Sequence, residues 1–373
     1  MIYLDYAADT PAAREVLDVF SDTALRYAAN PNSLHTPGRQ AGARLAECTE
    51  QIKTLLNLKN SDVIYTSGAT EANNLALKGV AEKYRNSGKH IIATYLEHSS
   101  VNGALAALQN SGFEIDYVDS GSDGLVDLEQ LKALLRKDTI LVSACYVDSE
   151  MGVTQKIHDI AAILSGYPGC RFHVDATQAV GKVPLSLDGA DLFTFSPHKF
   201  YGLNGSGILI KKEELLLEPQ IHGGLSATPY RSGTPALALA AACAKALELA
   251  LAELAPRCEH VSGLNKKLRA ALTKYPKVKI NSTAYSVPHI LSVSMPGVKT
   301  EDFRDELDAY GVCVSTRSAC CAPNSVSRPV YAVTKDRKRA VSTLRVSLSH
   351  LTTEQDVDEF LACFEKCYDK FAG

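Results

Sequence analysis

Three stretches of the 373-residue chain set reactive or charge-bearing side chains directly after short apolar runs. In TSGATEANN (66–74) a β-rich run ends, Gly68 permits a tight turn, and a helical pattern begins near Thr70. The unpaired N–H groups of a helix start, with the positive end of its dipole, form an anion site suited to a phosphate. The Thr70 hydroxyl would add a hydrogen bond to such a phosphate or simply cap the helix, and taken alone the cap is the stronger reading. In FHVDATQAVGK (172–182) Asp175 closes an apolar strand, at the end where open α/β sheets bind ligands. A carboxylate there calls for a cationic partner, a role open to a protonated pyridine nitrogen; otherwise it caps the turn that follows. In FSPHKFYG (195–202) Lys199 follows the strand candidate DLFTF, beside Ser196 and His198. A lysine partly desolvated near other cations loses proton affinity and becomes a usable amine for Schiff-base chemistry. A loop lysine on its own is usually just solvated. The succession of phosphate turn, strand-end aspartate and strand-end lysine is what points to pyridoxal 5'-phosphate held covalently by Lys199.

These residues need a scaffold, and the hydropathy pattern supplies one. DVIYTS (62–67), KHIIATY (89–95), FEIDYVD, TILVSACYV, CRFHVDA, DLFTFS and GILIKK read as strands. Between the first of them lie helical patterns, one with apolar Leu75, Ala76, Val80 and Tyr84 and another around 99–110. Alternation of this kind indicates βαβ units around a mainly parallel sheet, and nearly all-apolar strands indicate a sheet covered on both faces. After Gly233 the alanine-rich TPALALAAACAKALELALAEL reads as one long helix, followed by a second near 257–275. HILSVSM, CVST and TLRVSLS are further strand candidates, and TTEQ, from Thr352, resembles the capping box of a final helix. The expected fold is α/β: a large domain over 12–245 with a mainly parallel sheet flanked by helices, and a smaller α+β domain over 246–373 joined by residues 1–11.

A net charge of -3, with no arginine-rich stripe among aromatics, gives no electrostatic case for nucleic acid or an anionic membrane. No apolar run approaches the ~18 residues that span a bilayer. The opening MIYLDYAADTPAA lacks the basic-then-apolar layout of a signal peptide, so a cytoplasmic protein is expected. The ten cysteines show neither a C-x-x-C pair nor a zinc-spaced Cys/His quartet, so no disulfide framework and no metal site are expected. Most read as small core hydrophobes, including Cys363 and Cys367 on the final helix.

The chain resembles the NifS/IscS-like cysteine desulfurases of the class V aminotransferase superfamily, which are fold-type I pyridoxal-phosphate enzymes. The resemblance runs nearly end to end through YLDYAADTP, NPNSLHTPG, YTSGATEANNLALKG, LEHSSV, HVDATQAVGK, SPHKFYG, HGG, YRSGT, SAC and LRVSLSHLTTEQD, in the family's order and approximate spacing. It implies that Lys199 carries the cofactor and later shuttles the Cα proton of L-cysteine, the substrate. It implies that Asp175 pairs with the pyridine nitrogen, that Gln178 binds the ring hydroxyl, and that His98 is a catalytic residue that stacks on the ring and helps with proton transfer. Ala69, Thr70, Ser196 and His198 would hold the phosphate, and Thr234 would reach the phosphate of the neighbouring subunit in an obligate homodimer. Arg345 would clamp the substrate carboxylate through two bonds, the lesser alternative being a surface arginine on a strand.

Cys320 lies in VSTRSACCAPNSVSRP (314–329), a stretch of small residues that suits a loop nucleophile better than a core thiol. The resemblance places the persulfide on Cys320, whose sulfur passes to an acceptor protein such as an iron–sulfur scaffold or a thiolation enzyme. Cys321 reads as incidental. Two departures stand out. Ser149, in VDSEMG (147–152), occupies the place of a family asparagine that contacts cofactor and substrate, which puts that contact in doubt. Arg317 stands where many relatives have glycine. The rival readings are a selenocysteine lyase, another class V enzyme, or a catalytically idle partner subunit. An idle subunit would be marked by loss of Lys199 or Cys320, and both are present.

Overall fold

The computed structural model describes residues 1–224, 226–316 and 326–372. Its strands are β1 (Ile2–Tyr3), β2 (Ser61–Thr66), β3 (His90–Thr94), β4 (Glu114–Val118), β5 (Thr139–Cys145), β6 (Arg171–Asp175), β7 (Leu192–Phe195), β8 (Gly207–Lys212), β9 (Lys279–Ile280), β10 (Ile290–Ser294), β11 (Val312–Cys313) and β12 (Thr343–Ser347). Seven of them form the central sheet in the order β2-β8-β7-β6-β5-β3-β4. Every pairing is parallel except those of β8, which runs antiparallel to both β2 and β7. The expected α/β architecture is therefore present, with one reversed strand.

Successive side chains of a strand point to opposite faces, and here each face has its own core. Ile91, Leu141, Leu192 and Leu209 pack into a cluster with the helices Ala69–Tyr84 and Ser99–Asn110. Their chain neighbours Ile92, Val142, Phe193 and Ile210 pack on the other side with the helices Thr36–Leu55 and Leu237–Ala252. Burial on both faces explains why these strands are continuously apolar instead of alternating.

A separate core gathers Ile2 and Leu4 with Leu291, Val293, Phe303, Leu344, Val346, Phe360 and Phe364. It covers the antiparallel sheet β12-β10-β9 and the parallel pair β1-β11. The alanine-rich helix runs over Leu237–Ala252 and the next helix starts at Leu254, three residues before the expected 257. The final helix, Glu354–Phe371, is capped one residue later than TTEQ suggested. Thr353 is the N-cap, its hydroxyl accepting from Asp356 N while the Asp356 carboxylate accepts from Thr353 N, because the side chain of Thr352 is used by Ser349. Thr353→Ala is expected to lower the unfolding free energy by about 1 kcal/mol, read as a shift in the midpoint of a denaturant titration. Among the described residues no helix is long and apolar enough to cross a membrane.

Candidate active site

The ends of β2, β3, β5, β6 and β7 open onto a cavity of about 330 Å³, within the range of small-molecule sites. Its wall includes Ala69, Thr70, His98, Ser149, Asp175, Gln178, His198, Lys199 and Arg345. Nine residues singled out in the sequence thus meet at one place.

Asp175 ends β6 and is almost fully buried. One carboxylate oxygen accepts from Thr177 N (3.0 Å) and the other from Asn73 Nδ2 (2.8 Å). The turn-capping reading is therefore correct and leaves room for the other. Among the described residues no basic side chain forms an ion pair with this carboxylate, and a buried charge of this kind is completed by a cation. Asn73 also donates to Ser100 Oγ (2.9 Å) and accepts from Thr194, so helix Ala69–Tyr84, helix Ser99–Asn110 and β7 jointly fix Asp175. Ser100 Oγ lies 2.9 Å from His98 Nδ1, which also accepts from Ser100 N as the N-cap of its helix. Nearby Glu97 is buried, and desolvation followed by the charge of Asp175 pushes it up to about 8. The shift favours the neutral form of Glu97.

Lys199 lies in a short 3₁₀ turn, Pro197–Lys199, directly after β7. Its Nζ donates to Ala7 O (2.9 Å) and Ala8 O (2.6 Å), carbonyls of the N-terminal segment. Thr10 ties that segment to the lysine loop: Thr10 Oγ1 donates to His198 O and accepts from Tyr201 N, each at 2.7 Å. Tyr201 adopts φ 69°, a left-handed conformation that its bonded neighbours hold in place. His198 Nδ1 lies 3.0 Å from Asp9 Oδ1, and burial followed by the Lys199 charge lowers the proton affinity of the ring.

At the phosphate turn the N-cap is Gly68, not Thr70, and no side chain caps the helix. The carboxylate of Glu71 instead takes the N–H of Ser67 (2.7 Å), outside the helix. The first helical N–H groups, at the wall formed by Gly68, Ala69 and Thr70, thus have no side-chain acceptor and remain suited to an anion. The turn is close-packed from behind: a Cβ on Gly207 would lie 2.3 Å from the carbonyl carbon of Gly68, so only glycine fits.

Arg345, on β12, brings the second core to the cavity. It is 2% exposed, which excludes the surface-arginine reading. Nη1 donates to Ser149 O and Nη2 to Asp5 Oδ1, both at 2.8 Å, while Nε has no partner among the described residues. Asp5 is held in turn by Ser315 Oγ (2.8 Å). Ser149 therefore serves Arg345 through its carbonyl. Its turn is fixed by the Asp148 carboxylate, which accepts from the N–H groups of Glu150, Met151 and Val153.

Two of the named residues stand elsewhere. Ser196 is buried, does not line the cavity, and donates to Ser206 O (2.7 Å) because β8 passes beside it. Thr234 lines a separate groove with Phe20, Tyr27 and Pro31. Cys320, together with Cys321 and Arg317, lies outside the described residues. Of the described cysteines, Cys145 lines the cavity, and burial and then Glu97 push its thiol well above the usual range, which makes it a poor nucleophile. Sequence reasoning missed Asn73 and Asp5. Asn73 was detectable as an amide on the apolar helix face of Ala72, Leu75 and Ala76, and Asp5 as a charge in the apolar start IYLDYAA.

Comparison with known proteins settles the lineage. Residues 2–360 match the model of the aminotransferase class-V family. The chain belongs to this family. It is 36% identical over 378 residues to a NifS/IcsS protein homolog from Lactobacillus delbrueckii subsp. bulgaricus, covering 100% of this chain and 98% of the relative. It is 35% identical over 374 residues to a protein named cysteine desulfurase IscS from Dictyoglomus turgidum, covering 99% and 95%. A solved structure described as a NifS-like protein superposes with a TM-score of 0.93 at 33% identity, over 99% of this chain and 100% of the other. Within the class V aminotransferases the chain is thus of the NifS/IscS type.

Proposed function

We propose that the protein is a pyridoxal-phosphate-dependent cysteine desulfurase, converting L-cysteine to L-alanine and carrying the sulfur as a persulfide on Cys320. The observation that carries this reading is the convergence of the Lys199 amine, the Asp175 carboxylate and the Arg345 guanidinium on one cavity. The names of its NifS- and IscS-type relatives support it.

The residues fit the cofactor. Asp175, buried with two hydrogen bonds and no basic partner among the described residues, suits a pyridinium nitrogen. The uncapped start of helix Ala69–Tyr84, with Thr70 and His198 beside it, suits a phosphate. Gln178 would hold the ring hydroxyl, His98 would cover the ring, and Lys199 would form the covalent link. When bound, pyridoxal phosphate supplies an electron sink for charge left at the substrate α-carbon.

The chain's own groups do the rest. Arg345 holds the substrate carboxylate, and the carbonyl of Ser149 and the carboxylate of Asp5 keep its fork oriented. Lys199 Nζ would take the substrate α-proton and later return it. The Cys320 thiol would give up its proton and attack the substrate sulfur as a thiolate: an S–S bond forms, the substrate Cβ–S bond breaks, its electron pair remains with Cβ, and Cβ takes up one proton, equivalent to the one released by the thiol, to become the alanine methyl group. The SAC motif and the poor reactivity of Cys145 support Cys320 in this role.

The enzyme would act as a homodimer in which Thr234 reaches the partner's phosphate. The placement of Thr234 outside its own subunit's cavity, near exposed Leu25 and Leu34 in sequence-adjacent segments of the groove, supports this. A sulfur-acceptor protein completes turnover, and a cytoplasmic setting suits such an exchange. The two separate cores support division into a cofactor-binding domain over 12–245 and a smaller domain over 246–373 joined by residues 1–11. The test is incubation of the cofactor-loaded protein with L-cysteine and a reductant. Equal amounts of alanine and sulfide are expected, and sulfide without alanine would contradict the reading.

A further inference from the structure

Gln178 is almost fully buried, and an amide has the same shape with either end forward. Only its partners decide whether nitrogen or oxygen faces the cavity. Its Nε2 donates to Ala7 O (2.8 Å), the carbonyl that also accepts from Lys199 Nζ (2.9 Å). Its Oε1 accepts from Lys182 Nζ (3.1 Å). Residues 176–183 coil into a helical turn in which Val180 N and Val183 N bond to the carbonyls of Ala176 and Ala179, so positions 178 and 182 share one side. The turn is rigid at its end. Gly181 has φ +72°, and a Cβ there would lie 2.9 Å from the Cβ atoms of both Phe200 and Ala250.

From this geometry we infer that Lys182 is a positioning residue, whose amine fixes the orientation of Gln178 so that the amide N–H groups face the Ala7 carbonyl and the cofactor's ring oxygen. The inference rests on the proposed cofactor reading. Two features of Lys182 point to this role over that of a solvated lysine. Among the described residues no carboxylate forms an ion pair with it, and Cys258 Sγ donates to its carbonyl (3.0 Å) from the helix Leu254–Leu272. Burial, then Lys199 and Arg345, lower the proton affinity of its amine, yet a neutral amine keeps the N–H donors that the role requires. The Ala7 carbonyl is shared with Lys199, whose amine must move during turnover. Lys182 is the constraint on Gln178 that this movement leaves in place.

The test is a double-mutant cycle on the apoprotein, read as affinity for added pyridoxal phosphate and as the position of the visible band it produces. Lys182→Met, matched in length but without a donor, is expected to weaken cofactor binding about tenfold and displace the band. In a Gln178→Ala background the same change should add nothing, since its effect passes through that amide. Lys182→Gln, which keeps an N–H four residues from Gln178, should recover part of the affinity. Equal binding and an unchanged band in Lys182→Met would overturn the inference, as would full additivity with Gln178→Ala. Failure of the unaltered apoprotein to take up pyridoxal phosphate would instead overturn the cofactor reading itself.

Discussion

Lys199→Ala protein is expected to form alanine from L-cysteine at least about 10³-fold more slowly than the parent, because it loses both the covalent anchor and the proton carrier. Cofactor added to the variant should bind without a link to the chain. Borohydride reduction followed by peptide mapping should then find the cofactor on the Lys199 peptide in the parent and on no peptide in the variant. The fold should tolerate the change. Lys199 Nζ donates to the main-chain carbonyls of Ala7 and Ala8, and the segment carrying those carbonyls is held independently by Thr10. A reduced linkage on another lysine would move the anchor and dismantle the assignment.

Arg345→Ala should leave the Lys199 linkage in place and damage substrate use. The guanidinium is buried and charge-assisted at two of its nitrogens, so its removal would deprive the substrate carboxylate of its proposed cation and leave Asp5 without its ion-pair partner. Losses of this type amount to about 2–5 kcal/mol, which sets the fall in kcat/KM at about 30-fold to about 4,000-fold. Most of the change should appear in KM, because carboxylate binding is made in the ground state as well as the transition state. Steady-state kinetics of a variant that keeps its visible band checks this. A change confined to kcat with KM intact would place Arg345 outside the substrate site.

Much of this site could be read from the chain because strand-end chemistry is local. Asp175 and Lys199 follow apolar runs that become neighbouring strands β6 and β7, and a parallel sheet delivers both to one edge. Gly68 before a helix start is likewise a local signal. What sequence could not reveal is long-range pairing. The Lys199 amine depends on Ala7 and Ala8, and Arg345 depends on Asp5, contacts spanning 191, 192 and 340 positions. No periodicity encodes which distant carbonyl meets an amine. Thr70 and Ser196 show the converse. Each hydroxyl has an obvious use in isolation, but Gly68 takes the cap position and β8 offers Ser196 a nearer acceptor. A surface position for Arg345 stayed open in the sequence because strand alternation does not say which face a second core will cover, and β12 is buried throughout.

The central claim is that this cavity removes sulfur from cysteine and hands it to Cys320. A single-turnover reaction of cofactor-loaded protein with one equivalent of L-cysteine, quenched with an alkylating agent and mapped by mass spectrometry, tests it most directly. The account predicts one equivalent of alanine and a gain of one sulfur atom on the peptide bearing Cys320, absent from Cys320→Ser protein. Alanine formed with the extra sulfur on another cysteine, or pyruvate in place of alanine, would contradict it.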